Sequence, residues 1–383
     1  MFERGGPCAD LALPRVKPEH RPYRTTEGNV RIGGVIHGIG AEIEDSDGWI
    51  WPLVQALDGQ RGPLEIATEM AGTHPVPSES DVLEAIADLR RAGFLEDAAA
   101  LPPGDLSEGE LTRYSRGVPL LRWMDLSPRT SSWDLQLALR RARVLLIGLG
   151  GVGGVAAQGL VASGVGLLHC VDPDLVELSN LNRQILYRER DIGRRKVDVA
   201  LESLRALNSD VVVTGEAAEV RDVEDLRRLL RPGELPAGGY DLLVLSADRP
   251  AAIRSWANEA CIETDTPWIE GGYRGPLVSA GAFTPGRSGC LECRRATLAE
   301  SRDLGLPPGE CEEVVSPRMP WSPVNAVTAS LAGALFVYSA TAVLTGVPRL
   351  PPGFRLDYNL MRPADSGLEP IPRRSDCRVC GER

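Results

Sequence analysis

Lysine is almost missing from this chain of 383 residues. Of its 42 lysines and arginines, only Lys17 and Lys196 are lysines. Arginine is the default cation here, so a lysine inside a motif is more telling than usual. Histidine is nearly as scarce. His20, His37 and His74 fall in the N-terminal part and His169 in an apolar run, so none is placed as the acid–base of a hydride transfer. Positive charge is short overall: the formal net charge is −11, which argues against a general nucleic-acid surface. The first residues lack the apolar stretch of a secretory signal. The longest apolar run, 326–347, is interrupted by Thr328, Ser330, Tyr338, Ser339, Thr341 and Thr345. It reads as a buried core helix rather than a membrane span. Eight cysteines, four of them in two Cys-x-x-Cys pairs, suit a metal better than a disulfide framework. The expectation is a cytoplasmic protein with no membrane and no nucleic-acid partner.

What is present is room for two or three domains, with 43% apolar residues to fill their cores. The organising stretch runs from Arg143 to Lys196. Val144–Ile147 reads as a buried parallel strand. A glycine turn follows, with Gly148, Gly150, Gly151 and Gly153, then a helix, and then a second apolar strand, Leu167–Val171, ending at Asp172. Glycines let backbone N–H groups approach phosphates, a helix N-terminus favours negative charge, and an acid at the end of the second strand accepts hydrogen bonds from a ribose. Asn180, Arg183 and Gln184 follow, then Lys196. An NAD site needs no such run of phosphate-directed side chains; a triphosphate under attack does.

These residues resemble the ThiF/MoeB adenylyltransferase family, the bacterial relatives of ubiquitin-activating enzymes. The resemblance covers about residues 110–383 and rests on GLGGVG, on VDPDLVELSNLNRQ and on Lys196. It implies an ATP site in which Asp172 fixes the ribose and Asn180 and Gln184 position phosphate oxygens. Arg183 and Lys196 would stabilise the charge that develops on phosphorus and on the leaving pyrophosphate. Asp248, at the end of a buried strand 241–246, matches the acid that helps hold Mg2+; physically, a carboxylate beside phosphates needs a cation between them. Asp248 could equally cap the helix that follows. Arg116, in the segment Arg113-Tyr114-Ser115-Arg116, matches an arginine that reaches a neighbouring subunit's nucleotide, which implies a homodimer. Cys290 and Cys293 with Cys377 and Cys380 match the family's two pairs and supply four thiolates for a closed structural Zn2+ site.

The fold class expected is α/β: a doubly wound Rossmann-like sheet with an antiparallel extension and a zinc site, preceded by a winged-helix-like α+β domain. The divisions are an irregular, proline-bearing arm over 1–22, the N-terminal domain over 23–97, a linker over 98–110 and the adenylation domain over 111–383. Short strands over 29–44, three helices (the third opened by Ser78-Glu79-Ser80-Asp81 and closed by Gly93) and a closing RRAGFLED resemble the PqqD-like domains that recognise the leader of a precursor peptide. The resemblance implies a strand-addition mode for that leader.

The leading expectation is ATP-dependent adenylation of a carboxylate on a ribosomally made precursor peptide. Activation of a ubiquitin-like sulfur-carrier protein is the second reading, and a leader-binding scaffold without catalysis the third. A nicotinamide dehydrogenase also satisfies the glycine motif. Cys311, in the proline-rich stretch 303–322, is the family's candidate position for a nucleophilic cysteine. Its neighbours Glu310, Glu312 and Glu313 disfavour a thiolate.

Overall fold

The computed structural model describes residues 11–73, 77–129, 131–231, 239–301, 305, 319 and 322–381. Cys311 lies outside them. The chain divides into two compact units, one through Leu137 and one from Ala138.

The first unit holds β1 (Pro14–Val16), β2 (Tyr23–Arg24), β3 (Val30–Ile32), β4 (Ala41–Ile43), α1 (Ile50–Ala56), α2 (Pro63–Thr73), α3 (Glu79–Arg91), β5 (Leu95–Asp97), α4 (Glu108–Tyr114) and α5 (Gly117–Met124). β2, β3 and β4 form an antiparallel sheet, with Val30 opposite Ile43. Val30, Ile32, Leu53, Ile66, Val82 and Ile86 fill the core beneath it. α3 begins as its sequence demands: the Ser78 hydroxyl accepts from the Asp81 N–H at 3.2 Å while Asp81 accepts from the Ser78 N–H at 2.9 Å. Gly93 follows with φ +79°, the left-handed stop a helix end favours. The arm expected to be irregular is partly a strand: β1 pairs antiparallel with β5, Pro14 opposite Asp97. A proline can open a strand because its missing N–H leaves only one ladder bond unmade. This pairing joins residues far apart in sequence, and local periodicity carries no trace of it. Likewise α4 begins inside the segment expected to be a linker, with Ser107 as its cap.

α6 (Asp134–Arg141) leads into the second unit, made of β6 (Arg143–Ile147), α7 (Gly151–Ala162), β7 (Leu167–Val171), α8 (Lys196–Leu207), β8 (Val212–Glu216), α9 (Val223–Leu230), β9 (Leu242–Leu245), α10 (Ile253–Thr264), β10 (Trp268–Arg274), β11 (Leu277–Phe283), α11 (Leu291–Ser301), α12 (Ala326–Thr345), β12 (Phe354–Asn359) and β13 (Gly367–Pro370). One sheet runs in the order β13-β12-β11-β10-β9-β6-β7-β8. β8, β7, β6, β9 and β10 are parallel; β11, β12 and β13 add antiparallel. The central strands β6, from Val144, and β9 are buried on both faces, which is why their sequences are unbroken apolar runs. α7, α8 and α12 cover one face, and α9 and α10 the other.

The run 326–347 expected to be a core helix is α12. By length and composition it could cross a bilayer. Here it packs on α7, β10 and β11. Two glycines allow the close crossing with α7: a Cβ on Gly333 would stand 2.5 Å from the Val155 side chain, and one on Gly159 would stand 2.5 Å from Val337. Phe336 of α12 is fully buried, a burial worth about 1.5–3 kcal/mol.

β10 runs three residues past the expected end at Gly271, and β12 and β13 were not foreseen. β12 pairs with β11 far back in the sequence, which no local alternation announces, whereas the end of β10 pairs with β11 across a tight turn.

Candidate active site

β6 has β9 on one side and β7 on the other, although β7 follows it in sequence. The strand order therefore reverses at β6, and in open α/β sheets ligands bind outside the strand C-termini at such a reversal. Gly148 leaves β6 with φ +96°, a conformation a side chain rarely adopts. A Cβ there would lie 2.7 Å from the Ala247 nitrogen, just beyond β9. Gly153 needs its missing side chain for approach instead: its Cβ would sit 1.8 Å from the Gly148 carbonyl oxygen. Gly150 caps α7 without a side-chain bond, and Gly151 lies against Arg183 and Ala329.

The turn between these glycines is clamped at Leu149. Its N–H donates to Asp172 Oδ2 at 2.6 Å, and its carbonyl accepts from the Tyr187 hydroxyl at 2.9 Å. Asp172 also accepts from the Asp174 N–H at 2.9 Å. Burial pushes its carboxyl above the usual range, against the opposing pull of Lys196 and of the two backbone donors. The expected ribose acceptor thus has a structural duty as well. A carboxylate has lone pairs enough for both.

Lys196 is no leftover surface lysine. It opens α8 with 5% of its surface exposed, and its ammonium donates to Asp174 Oδ2 at 2.8 Å. Asp174 was missed in the sequence, although its place two residues after Asp172 was a usable signal. Lys17, the chain's other lysine, is buried too, at 4% exposed. It serves the first unit, donating to the Asp125 carbonyl at 2.6 Å.

Asn180 is buried, and its side-chain oxygen accepts the Glu177 N–H at 3.0 Å, shaping the turn that presents the next residues. Arg183 is half-buried and donates to the Ser179 carbonyl and to Asn182 Oδ1, both at 2.9 Å. Gln184 is 4% exposed and its Oε1 has no hydrogen-bond partner. Its Nε2 is 3.9 Å from where a Gly150 Cβ would be. The amide nitrogen thus stands beside the open glycine turn, where phosphate oxygens could accept from it. Asp248 follows β9 and is exposed. The capping alternative fails: α10 begins at Ile253 behind Ala252, with no side-chain cap.

Gly148, Gly150, Gly151, Gly153, Asp172, Asn180, Arg183, Gln184, Lys196 and Asp248 therefore stand around the C-terminal ends of β6, β7 and β9. Arg116 is exposed and precedes α5 in the first unit.

The two Cys-x-x-Cys pairs meet. Cys290 and Cys293 lie at the start of α11, and Cys377 and Cys380 in a turn near the chain end. Their sulfurs all lie within 4.8 Å of one another. Cys290–Cys293 is 3.9 Å, Cys290–Cys377 3.6 Å and Cys293–Cys380 3.4 Å. Tetrahedral zinc with Zn–S of about 2.3 Å puts sulfurs about 3.8 Å apart. A disulfide needs about 2.05 Å. The four thiols fit the metal and leave no open position for a reactant. Cys170 is fully buried, and burial pushes its thiol up to about 12; it is inert.

Residues 124–379 match the ThiF family. The Escherichia coli molybdopterin-synthase adenylyltransferase is 30% identical over 279 residues, covering 73% of this chain and 99% of that protein. An adenylyltransferase and sulfurtransferase, uba4 of Emericella nidulans, is 33% identical over 268 residues, covering 64% of this chain and 49% of that protein; the match spans about half the length of this relative. Among solved structures, E. coli MccB superposes with a TM-score of 0.75 at 24% identity, covering 97% of each chain. At that identity the likeness is one of fold. Motif, sheet and family match agree, and the chain belongs to the ThiF family of E1-like adenylyltransferases.

Proposed function

We propose that this enzyme uses ATP to adenylate a carboxylate on a peptide. The carrying observation is the convergence, at one strand reversal, of a clamped glycine turn, a buried lysine and a half-buried arginine. A carboxylate oxygen attacks the α-phosphorus of ATP, the bond to pyrophosphate breaks, and an acyl-adenylate remains. The nucleophile is already ionised, so no general base is required, and catalysis is positioning and charge stabilisation. Gly150 and the first turn of α7 receive phosphate oxygens. Asp172 accepts from the ribose, Gln184 and the Asn180 amide orient phosphate, and Arg183 and Lys196 meet the developing negative charge. Lys196 leaves Asp174 to do so. Asp248 would hold Mg2+, whose charge screens the triphosphate. Arg116 serves from a second copy of the chain. The four cysteines would hold zinc and keep the chain end on α11, a structural duty.

The peptide substrate is supported by fold: MccB, also solved with MccA at a TM-score of 0.71, matches over both units. The first unit then acts as a PqqD-like recognition module. Among the described residues β2 and β4 are the edges of its three-stranded sheet, to which a leader could add as a strand. A ubiquitin-like carrier is the second reading, favoured by the identity to the molybdopterin-synthase enzyme. The test is ATP–pyrophosphate exchange by the full chain with candidate precursor peptides and with carrier proteins. Exchange that needs a peptide supports the first reading. Exchange driven only by a carrier supports the second.

A further inference from the structure

The second unit has another opening, at the far end of its sheet. β10 is parallel to β9, so Trp268, where β10 begins, lies at the end remote from the ATP crevice. Phe283, where antiparallel β11 finishes, stands opposite it. A cavity of about 230 Å³ opens here. Its walls are these two rings, Asn258 and Ile262 one turn apart on α10, Asp265 just past that helix, and Arg373. Cys290 and Cys380 also reach the wall, but four sulfurs around one metal leave it no open position. The cavity has no duty in adenylation.

Its polar groups divide into spent and unspent. The Thr284 hydroxyl donates to the Pro352 carbonyl at 2.7 Å, and the Ser288 hydroxyl to the Thr284 carbonyl at 3.1 Å. Three side chains keep capacity. Asn258 is 2% exposed, and its Oδ1 accepts from the Leu291 N–H at 2.9 Å. That bond fixes the amide and leaves two Nδ2 hydrogens without an acceptor. The nitrogen is not sealed inside protein as the Gln184 oxygen is, and the surface it keeps is cavity wall. Arg373 spends one nitrogen on the Cys380 carbonyl and meets no acid among the described residues. The Asp265 carboxylate has no partner among them either. Asp265 is kept against local preference. Its φ of +52° is the one positive value at a non-glycine among the described residues, where glycine or asparagine is favoured. Its charge also opposes the negative end of α10.

We propose that this cavity binds a free α-amino acid with a large apolar side chain. The ligand's carboxylate accepts from Asn258 Nδ2 and Arg373, its ammonium donates to Asp265, and its side chain lies against Trp268, Phe283 and Ile262. Charge complementarity selects this class. A simple carboxylate would bring a second anion towards Asp265, and a simple amine a second cation towards Arg373; a zwitterion answers both. Asp265 and Arg373 line one cavity without forming an ion pair with each other, which leaves the space between them to a ligand. Trp268 and Phe283 stack with centroids 4.7 Å apart, a stiff apolar wall. Size agrees: a cavity of about 150 Å³ holds a benzene ring, so this one has room for the amino-acid head as well.

Calorimetric titration of the full-length protein with L-phenylalanine and L-leucine tests the proposal. At least one should bind saturably. For phenylalanine the control is 3-phenylpropionate, which lacks the ammonium and should bind at least about tenfold more weakly, the scale of one hydrogen bond to a charged group. Asp265→Asn puts a residue suited to that backbone in place, so the melting temperature should not fall, yet amino-acid binding should weaken by a similar factor. ATP should not compete, because its crevice lies at the other end of the sheet. Saturable binding by neither amino acid, equal binding of 3-phenylpropionate, an Asp265→Asn variant that binds like the wild type, or competitive displacement by ATP would each overturn the inference. None of these measurements needs turnover, so the outcome is independent of the adenylation reading.

Discussion

The carboxylate of Asp172 holds the backbone N–H of Leu149 at 2.6 Å, tying the end of β7 to the middle of the glycine turn. Tyr187 holds the same residue's carbonyl from the other side. The turn is therefore shaped before any nucleotide binds. Tyr187→Phe removes one buried bond and should cost about 1 kcal/mol of stability, with ATP affinity falling roughly fivefold by the same energy. Asp172→Ala should cost more of both, because it leaves two N–H groups unpaired. Thermal melts and calorimetric titration check the order.

The same carboxylate sets an acid limit. Burial raises its pKa, so on lowering the pH it takes up a proton before an ordinary aspartate at about 3.9 does. Once protonated it is a poorer acceptor for Leu149 and for a ribose. ATP affinity should therefore be present above the raised pKa and lost as pH falls through it, with a midpoint above about 3.9. The sign for stability is opposite: a carboxyl of higher pKa folded than unfolded binds protons more tightly when folded, so its ionisation lowers stability as pH rises. Affinity measured across pH should show the midpoint, and Asp172→Asn should flatten it.

The glycines should separate by cause. A Cβ on Gly153 would overlap the Gly148 carbonyl oxygen at 1.8 Å, while one on Gly150 meets nothing nearer than Gln184 at 3.9 Å. Gly153→Ala should cost about 3 kcal/mol of stability. Gly150→Ala should stay within about 0.5 kcal/mol of wild type yet weaken ATP binding, since its methyl occupies phosphate space. Denaturant unfolding and nucleotide titration distinguish the two.

The four-sulfur cluster predicts about one zinc per chain by metal analysis. Chelation, or Cys293→Ser, should unfold the end of the second unit rather than only slow the enzyme, because a structural site's binding energy is folding energy. A metal-free protein with an unchanged melt would contradict this.

The nucleotide half of the fold was legible because its signals are local. An apolar strand, a glycine turn and a terminal acid occupy one stretch, and β6, α7 and β7 follow it almost residue for residue. What escaped is non-local. β1 finds β5, and β11 finds β12, through pairings no window contains. The site divides in the same way. Arg183 and Lys196 stand out by type and spacing, and Asp174 could have done so by its place two residues after Asp172, whereas the clamp on Leu149 exists only once β6 and β7 are adjacent. Asp248 shows the gain from geometry: its sequence allowed a helix cap, and the start of α10 at Ile253 removes that use.

The central claim is that a substrate carboxylate oxygen attacks the α-phosphorus of ATP. A peptide carrying 18O in that carboxylate tests it most directly. The account predicts that, once the acyl group is captured, AMP leaves with one labelled oxygen from the peptide, and that Arg183→Ala and Lys196→Ala abolish the transfer. Release of ADP with the label in inorganic phosphate, or of AMP with no label, would contradict it.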